Sequence, residues 1–277
     1  MVGIIGHPVA HSLSPAIHNA AFEAAGLDWV YVPLPVVPGA EGAAVEGLRA
    51  LGMRGANVTV PHKAAVVPFL DRLEGDAVVL GVVNTIAVRN GDLVGHNTDV
   101  EGVRAAMTAV CGESLHGAPG LMLGAGGAAR AAALALVRMG VRLTVVNRTE
   151  EAAERLVALV RAAEPGADCG RLPFERLDAG LVRAQTLVVN ASSLGMAGAG
   201  KVPAALADTM SARQVVFDVV YARGGTRFLE QARARGATVV DGLEMLLAQA
   251  AAAFEVWTGI PAPLAAMREA VCEKPYD

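Results

Sequence analysis

The sequence predicts an α/β protein in two domains. Short apolar runs alternate with longer helix-like segments along its 277 residues, the signature of mostly parallel sheets. The pattern breaks near residue 101, where a helix over 100–110 runs into a stretch rich in glycine and polar residues, 111–120. Just beyond, an apolar strand ends in Gly124-Ala-Gly-Gly-Ala-Ala129 and an alanine-rich helix follows. The expected domains are 1–101 and 102–242, with a helical tail, 243–277, joined to the first.

Taken in order, residues 2–5, 29–34 and 56–60 read as strands, and 15–25, 42–51 and 63–70 as the helices among them. The run 83–88 meets 92–95 across Arg89-Asn90-Gly91, where Asn-Gly predicts a tight antiparallel hairpin. In the second half, 120–123, 142–146, 186–189, 215–219 and 238–240 read as strands. Residues 197–203 read as a loop. The tail is interrupted at Gly259-Ile-Pro-Ala-Pro263. No repeat of solenoid period and no low-complexity linker is found.

Composition excludes several classes of function. The chain is 53% apolar and 18% charged, a balance that supports a buried core. Its net charge is −4 and no basic run stands out, so neither a nucleic acid nor a membrane surface is expected as a partner. Cys111, Cys169 and Cys272 lie far apart, which favours reduced thiols over disulfides or a zinc knuckle. The opening residues have neither the basic start nor the apolar stretch of a signal peptide, and the apolar run 245–254 is too short for a bilayer. A cytoplasmic protein acting on a small molecule is expected.

Gly124, Gly126 and Ala129 fit the G-x-G-x-x-A form of a Rossmann-like dinucleotide turn. Glycine lets backbone N–H groups approach a diphosphate closely, and the helix that follows offers a partial positive charge. The bland alternative is a tight strand–helix turn that binds nothing. The next strand ends at Asn147-Arg148-Thr149, without the acidic residue that an NAD site places there for the ribose 2′-hydroxyl. Arg148 would meet a 2′-phosphate, with Asn147 and Thr149 adding hydrogen bonds. NADP is therefore favoured, NAD being the other option. Thr149 also reads as the N-cap of a helix opening Glu150-Glu151.

Four polar clusters stand in the first domain, where strands give way to helices and an α/β sheet opens its crevice. Ser12 and Ser14, at a helix start, suit a carboxylate. Ser14 before Pro15 also reads as an N-cap, a reading not open to Ser12. Asn57 and Thr59 share a strand face, and Lys63 follows on the opening turn of a helix. A lysine donates a proton to an alkoxide or takes one from a hydroxyl if its site lowers its pKa, although surface exposure is the common fate of lysine. Asn84-Thr85 and Asn97-Thr98-Asp99 complete the set. Asp99 either caps the next helix or orients Lys63. His62 and His96 read as neighbours of the site. The six histidines form no metal set, and no nucleophile motif is present.

These pieces together resemble the shikimate dehydrogenase family over nearly the whole chain. They are Gly6-His-Pro-Val-Ala-His-Ser-Leu-Ser-Pro-Ala-Ile-His-Asn19, Asn57-Val-Thr-Val-Pro-His-Lys63, Val83-Asn-Thr85, Asn97-Thr-Asp99, Gly124-Ala-Gly-Gly-Ala128, Asn147-Arg-Thr149, Asp218-Val-Val-Tyr221, Gly242-Leu-Glu-Met-Leu-Leu-Ala-Gln249 and Trp257-Thr-Gly259. The resemblance implies a substrate-binding domain and an NADP-binding domain around a central cleft, and NADP-linked reduction of 3-dehydroshikimate to shikimate, a step of aromatic amino-acid and chorismate biosynthesis. It implies that Ser12 and Ser14 hold the substrate carboxylate with Tyr221 nearby, and that Thr59, Lys63, Asn84, Asp99 and Gln249 contact ring hydroxyls. Lys63 would be the acid/base and Asp99 its partner. The cofactor would rest its phosphates on Gly124, Ala125, Gly126, Gly127 and Ala128 and its nicotinamide near Val219 and Gly242. No metal is implied, and a homodimer is compatible with the resemblance.

The chain departs from the family in three places. Tyr221-Ala-Arg-Gly-Gly-Thr226 lacks the proline common after this tyrosine. Position 152 is alanine where relatives preferring NADP often carry a second basic residue. Val82 stands where alanine is usual. The alternatives are a quinate or aminoshikimate dehydrogenase using NAD, and a non-catalytic family member that binds ligand as a sensor. Ser12, in place of threonine, leans towards shikimate, and Lys63 with Asp99 leans towards catalysis.

Overall fold

The computed structural model describes residues 1–112, 114–195, 200, 202–222 and 224–272. The chain divides into two compact units. One is Met1–Thr98 together with the stretch from Leu247 onward, and the other is Asp99–Leu246.

The first unit opens with β1 (Val2–Gly6), α1 (Ser14–Ala24), β2 (Tyr31–Pro35), α2 (Glu41–Ala50) and β3 (Gly55–Val58). It continues through β4 (Arg72–Leu73), α3 (Asp76–Leu80), β5 (Thr85–Arg89) and β6 (Asp92–His96). Its six-stranded sheet has the order β2-β1-β3-β5-β6-β4. The strands β2, β1 and β3 run parallel, and β5 pairs antiparallel with both β3 and β6. Asn90 and Gly91 turn the hairpin with φ of 54° and 90°, the left-handed values that an Asn-Gly pair tolerates. Ile5, Val45, Leu48, Val58, Val66, Val83, Ile86 and Leu93 form one buried cluster.

The second unit runs through α4 (Asp99–Cys111), β7 (Pro119–Leu123), α5 (Gly127–Arg138), β8 (Arg142–Asn147), α6 (Glu150–Ala163), β9 (Cys169–Pro173) and α7 (Ala179–Arg183). It then passes β10 (Leu187–Asn190), α8 (Ala204–Ala207), β11 (Val215–Asp218), α9 (Arg227–Ala234) and β12 (Thr238–Asp241). All its strand pairs are parallel, in the order β12-β11-β10-β7-β8-β9. The sheet winds outwards in both directions from β7, and such a switch point opens a crevice at the strands' carboxyl ends. The strands are apolar on both faces, as parallel strands covered by helices must be. The helix α10 (Gly242–Thr258) then carries the chain back to the first unit, and α11 (Leu264–Cys272) follows.

Three expectations are corrected. Residues 63–70 form turns and a short 3-10 helix, Val67–Phe69, instead of an α-helix. Pro68 is the cause: it has no N–H to donate and disfavours α geometry in the residue before it. Lys63 therefore stands on a turn. The strand expected to reach residue 60 ends at Val58, so Thr59 lies just past it. Ser14 is the first residue of α1 and caps nothing; Leu13 holds the cap position, and the Ser14 N–H donates to Ser12 Oγ at 3.2 Å. Ser12, not Ser14, thus has the local structural role. The strands β4 and β9 and the short helix α3 were not expected. The loop expected at 197–203 lies largely outside the described residues.

Candidate functional site

In the first unit the polar residues converge on Asn84. Its side chain is 2% exposed and fully engaged. Nδ2 donates to Thr98 Oγ1 at 2.9 Å and to Gln249 Oε1 at 3.2 Å, while Oδ1 accepts from the Thr98 N–H at 2.7 Å. Next to it, Asn57 Nδ2 donates to Thr85 Oγ1 at 3.0 Å, and Asn57 Oδ1 accepts from the Tyr31 hydroxyl at 2.7 Å. A buried network survives only when its members satisfy one another, and this one does so with side chains from both ends of the chain. Asn57, Thr85 and Thr98 are thus the frame of the cluster.

Lys63 is fixed beside that frame. Its carbonyl accepts from the Val83 N–H at 2.8 Å, directly before Asn84. The residue before it, His62, is fully buried between two acceptors: Nδ1 lies 2.8 Å from Glu41 Oε1 and Nε2 lies 2.8 Å from the Val36 carbonyl. Glu41 opens α2 and also accepts from the Gly39 N–H. Hydrogen bonds from its own backbone, and then from His62, hold its carboxyl below the usual range. His62 is a bolt beneath the lysine turn. His96 is more loosely placed, 3.8 Å from Glu74. Thr59 packs its methyl on Gly6, where an added Cβ would come within 2.5 Å of Thr59 Cγ2.

In the second unit the glycine turn stands at the carboxyl end of β7. Gly124 has φ +119°, and a Cβ there would lie 2.6 Å from the Ala191 carbonyl oxygen. Gly126 is the N-cap of α5, makes no side-chain cap, and would place a Cβ in open space. The first N–H groups of this twelve-residue helix have no acceptor within the helix itself, and a side chain at Gly126 would meet nothing beside them. Gly127 and Ala128 open the helix, and Ala129 is fully buried. Asn147 ends β8 and donates from Nδ2 to the Thr149 carbonyl at 2.9 Å. Thr149 is the N-cap of α6, but its hydroxyl makes no cap bond. Arg148 is exposed. A cavity of about 230 Å³ beside the turn is lined by Ala125, Arg130, Ala152 and Arg155, so basic side chains flank the turn although position 152 is alanine. A dinucleotide with a 2′-phosphate fits this set: an open glycine cradle, free helix-end donors and no acidic residue at the β8 end.

Elsewhere in this unit, Val219 donates its N–H to the Asn190 carbonyl at 2.9 Å, and Tyr221 is 37% exposed. Gly242 starts α10 so close to this loop that a Cβ would lie 2.6 Å from the Val219 carbonyl oxygen. Asp99 is buried at the start of α4. Sequence reasoning missed the Glu41–His62 pair and the bonds around Asp218. Nothing in the spacing links residues 21 or 28 positions apart; the signal was an Asp218 inside an apolar strand.

Comparison with known proteins finds relatives along nearly the whole chain. Residues 4–86 match the family model described as the shikimate dehydrogenase substrate binding domain, and residues 242–272 match that of the shikimate 5′-dehydrogenase C-terminal domain. A shikimate dehydrogenase (NADP(+)) of Citrifermentans bemidjiense is 45% identical over 276 residues, covering 99% of this chain and 95% of its own. A crystal structure of a shikimate dehydrogenase in complex with NADP+ superposes with a TM-score of 0.91 at 35% identity, covering 100% of this chain and 96% of that one. The shikimate 5-dehydrogenase of Thermus thermophilus, solved with NADP(H) and shikimate, gives 0.84 at 37% identity and 97% of each chain.

Proposed function

The chain belongs to the shikimate dehydrogenase family, and from that premise we infer that it is an NADP-dependent oxidoreductase interconverting shikimate and 3-dehydroshikimate, a step of the shikimate pathway. We propose that the first unit holds the substrate and the second the cofactor. The observation that carries the reading is the join of Asn84 to Gln249 beside the Lys63 turn, which gathers polar residues from 165 positions apart in sequence.

The residue roles follow from what each group can donate. The Ser12 and Ser14 hydroxyls, with Tyr221, hold the substrate carboxylate. Thr59 and Gln249 orient the ring hydroxyls, and Asn84 does so by exchanging its bond to Gln249 for one to the substrate. Lys63 Nζ faces the reacting oxygen: its ammonium stabilises negative charge growing there during reduction and delivers the proton, and its amine takes that proton back during oxidation. Asp99 is its carboxylate partner. Bound NADP supplies or accepts the hydride. The turn Gly124, Ala125, Gly126, Gly127 and Ala128 would hold its phosphates, the Gly124 N–H itself being bonded to the Val146 carbonyl at 2.9 Å, and Asn147, Arg148 and Thr149 would hold the 2′-phosphate. Val219 and Gly242 line the nicotinamide end. Three widely spaced cysteines support a reducing, cytoplasmic setting.

Oxidation of shikimate, followed at the nicotinamide absorbance with NADP and NAD side by side and with quinate as competitor, tests the reading. Turnover with shikimate and NADP is expected to dominate. A preference for quinate with NAD, or no turnover with any pair, sinks it.

A further inference from the structure

We propose that Asp218 is a positioning residue that sets the loop at the nicotinamide end of the site. The proposal rests on the reading that Val219, Tyr221 and Gly242 border the ligands.

Asp218 ends β11 and is fully buried. Its carboxylate gathers three donors from three places. Thr226 Oγ1 donates to Oδ2 at 2.6 Å, Asn190 Nδ2 to Oδ1 at 2.9 Å, and the Val220 N–H to Oδ1 at 3.1 Å. Each donor anchors a different segment. Thr226 caps α9 by accepting from the Leu229 N–H. Asn190 Nδ2 also reaches the Leu194 carbonyl, and Asn190 Oδ1 accepts from Ser192 Oγ at 2.7 Å, so it shapes the segment after β10. That segment touches the glycine turn, where Gly124 meets Ala191. Val220 lies between Val219 and Tyr221. One carboxylate therefore ties together the segments after β10 and β11 and the start of α9.

Such a group is an expensive choice if the fold is all it serves. Burial pushes its pKa up to about 6, against the three hydrogen bonds that favour the ion. Asp241, on the adjacent strand β12, adds repulsion, and Arg233 of α9 stands 4.0 Å from that Asp241 carboxylate. At neutral pH the unit thus keeps a charge that its surroundings disfavour. An uncharged amide would remove that strain on stability but rearrange the bonds. In Asp218→Asn the amide oxygen keeps Asn190 and Val220, the new N–H donates to Thr226 Oγ1, and the Thr226 hydroxyl hydrogen loses its acceptor.

The test measures Asp218→Asn at pH 8 in three ways: Tm, kcat for shikimate with NADP, and calorimetric affinity for NADP and for adenosine 2′,5′-bisphosphate, which lacks the nicotinamide half. A positioning role predicts a Tm at or above wild type, a kcat lower by about tenfold or more, and NADP affinity weakened more than bisphosphate affinity. Thr226→Val should shift the same affinity ratio, and Thr226→Ser, which keeps the hydroxyl, should not. An unchanged ratio in Asp218→Asn overturns the proposal, as does a variant that fails to fold or whose Tm and turnover fall together. A wild-type protein that does not oxidise shikimate refutes the functional reading instead, while the affinity ratio still tests Asp218.

Discussion

Lys63 illustrates how a single side chain is made ready by neighbours that never meet the substrate. Its carbonyl is held by Val83 and the residue before it by Glu41 and Val36, so its backbone is set on three sides. Lys63→Ala is expected to lower kcat by about 10²- to 10⁴-fold, the usual range for losing an acid/base, with a smaller change in the KM for shikimate. Steady-state kinetics that found wild-type kcat would remove Lys63 from its role. A second residue governs acid stability. His18 is fully buried and stacked on Tyr31 at 4.5 Å, and neither ring nitrogen has a well-formed hydrogen bond. Burial lowers its pKa to about 3, with Asn57 opposing only in part. The folded state keeps it neutral while the unfolded chain protonates it near 6.5, so stability falls as pH drops from about 6.5 towards 3. Asp218 works the other way: its folded pKa is about 6 against 3.8, so its contribution is largest below 3.8 and is lost as pH rises to 6. At roughly 1.4 kcal/mol per pH unit, His18 carries on the order of 5 kcal/mol and Asp218 on the order of 3, so His18 dominates. His18→Leu should move the acid-unfolding midpoint, followed by far-ultraviolet circular dichroism, to lower pH; a midpoint that stays put would refute this. The polar clusters were legible in the sequence because each is a short run of Ser, Thr or Asn where a strand ends. The partners that hold them were not, since His62 and Glu41 are joined only by folding.

The element that carries the cofactor shows that two glycines of one motif do separate jobs. Gly124 is required by geometry: its φ is positive and a Cβ would strike the Ala191 backbone. Gly126 has φ −81° and open space, so the fold does not need it. Gly124→Ala should therefore cost about 2 kcal/mol or more of stability. Gly126→Ala should leave stability within about 0.5 kcal/mol yet weaken NADP binding, because its methyl occupies the approach to the phosphates. Thermal melts and calorimetric titration of both variants check this; equal stability losses would contradict it. Strands and the hairpin were readable because alternation, apolar runs and Asn-Gly are local signals. The helix expected at 63–70 failed because a short apolar pattern outweighed one Pro68. The strand β9 was missed because Cys-Gly-Arg-Leu-Pro, at a sheet edge, has neither alternation nor a continuous apolar run.

At the scale of the molecule, the first unit is discontinuous: it leaves the chain at Thr98 and resumes at Leu247. The returning segment brings Gln249 to Asn84, and its Trp257 Nε1 donates to the Ile86 carbonyl at 2.9 Å, against the bare face of Gly55. Phe254 and Ala250 are fully buried. Ending the chain after Leu246 should therefore leave the first unit open to proteases and abolish shikimate binding, while the second unit still binds adenosine 2′,5′-bisphosphate. Limited proteolysis and calorimetry read both halves, and a protease-resistant first unit would contradict it. Periodicity showed that the tail is helical but not which face it covers, because that depends on a register set only when the sheet exists.

The same discontinuity sets the order of events on the ribosome. The stretch up to Thr98 emerges early but lacks the helix that closes its core. Roughly 150 further residues must be made before that helix appears, which at about 5–20 residues per second is some 7–30 seconds. The middle of the chain, whose sheet is self-contained, can finish folding in that interval. The nascent protein thus completes its middle before its first unit, which holds an unfinished apolar surface until the segment from Leu247 has been made.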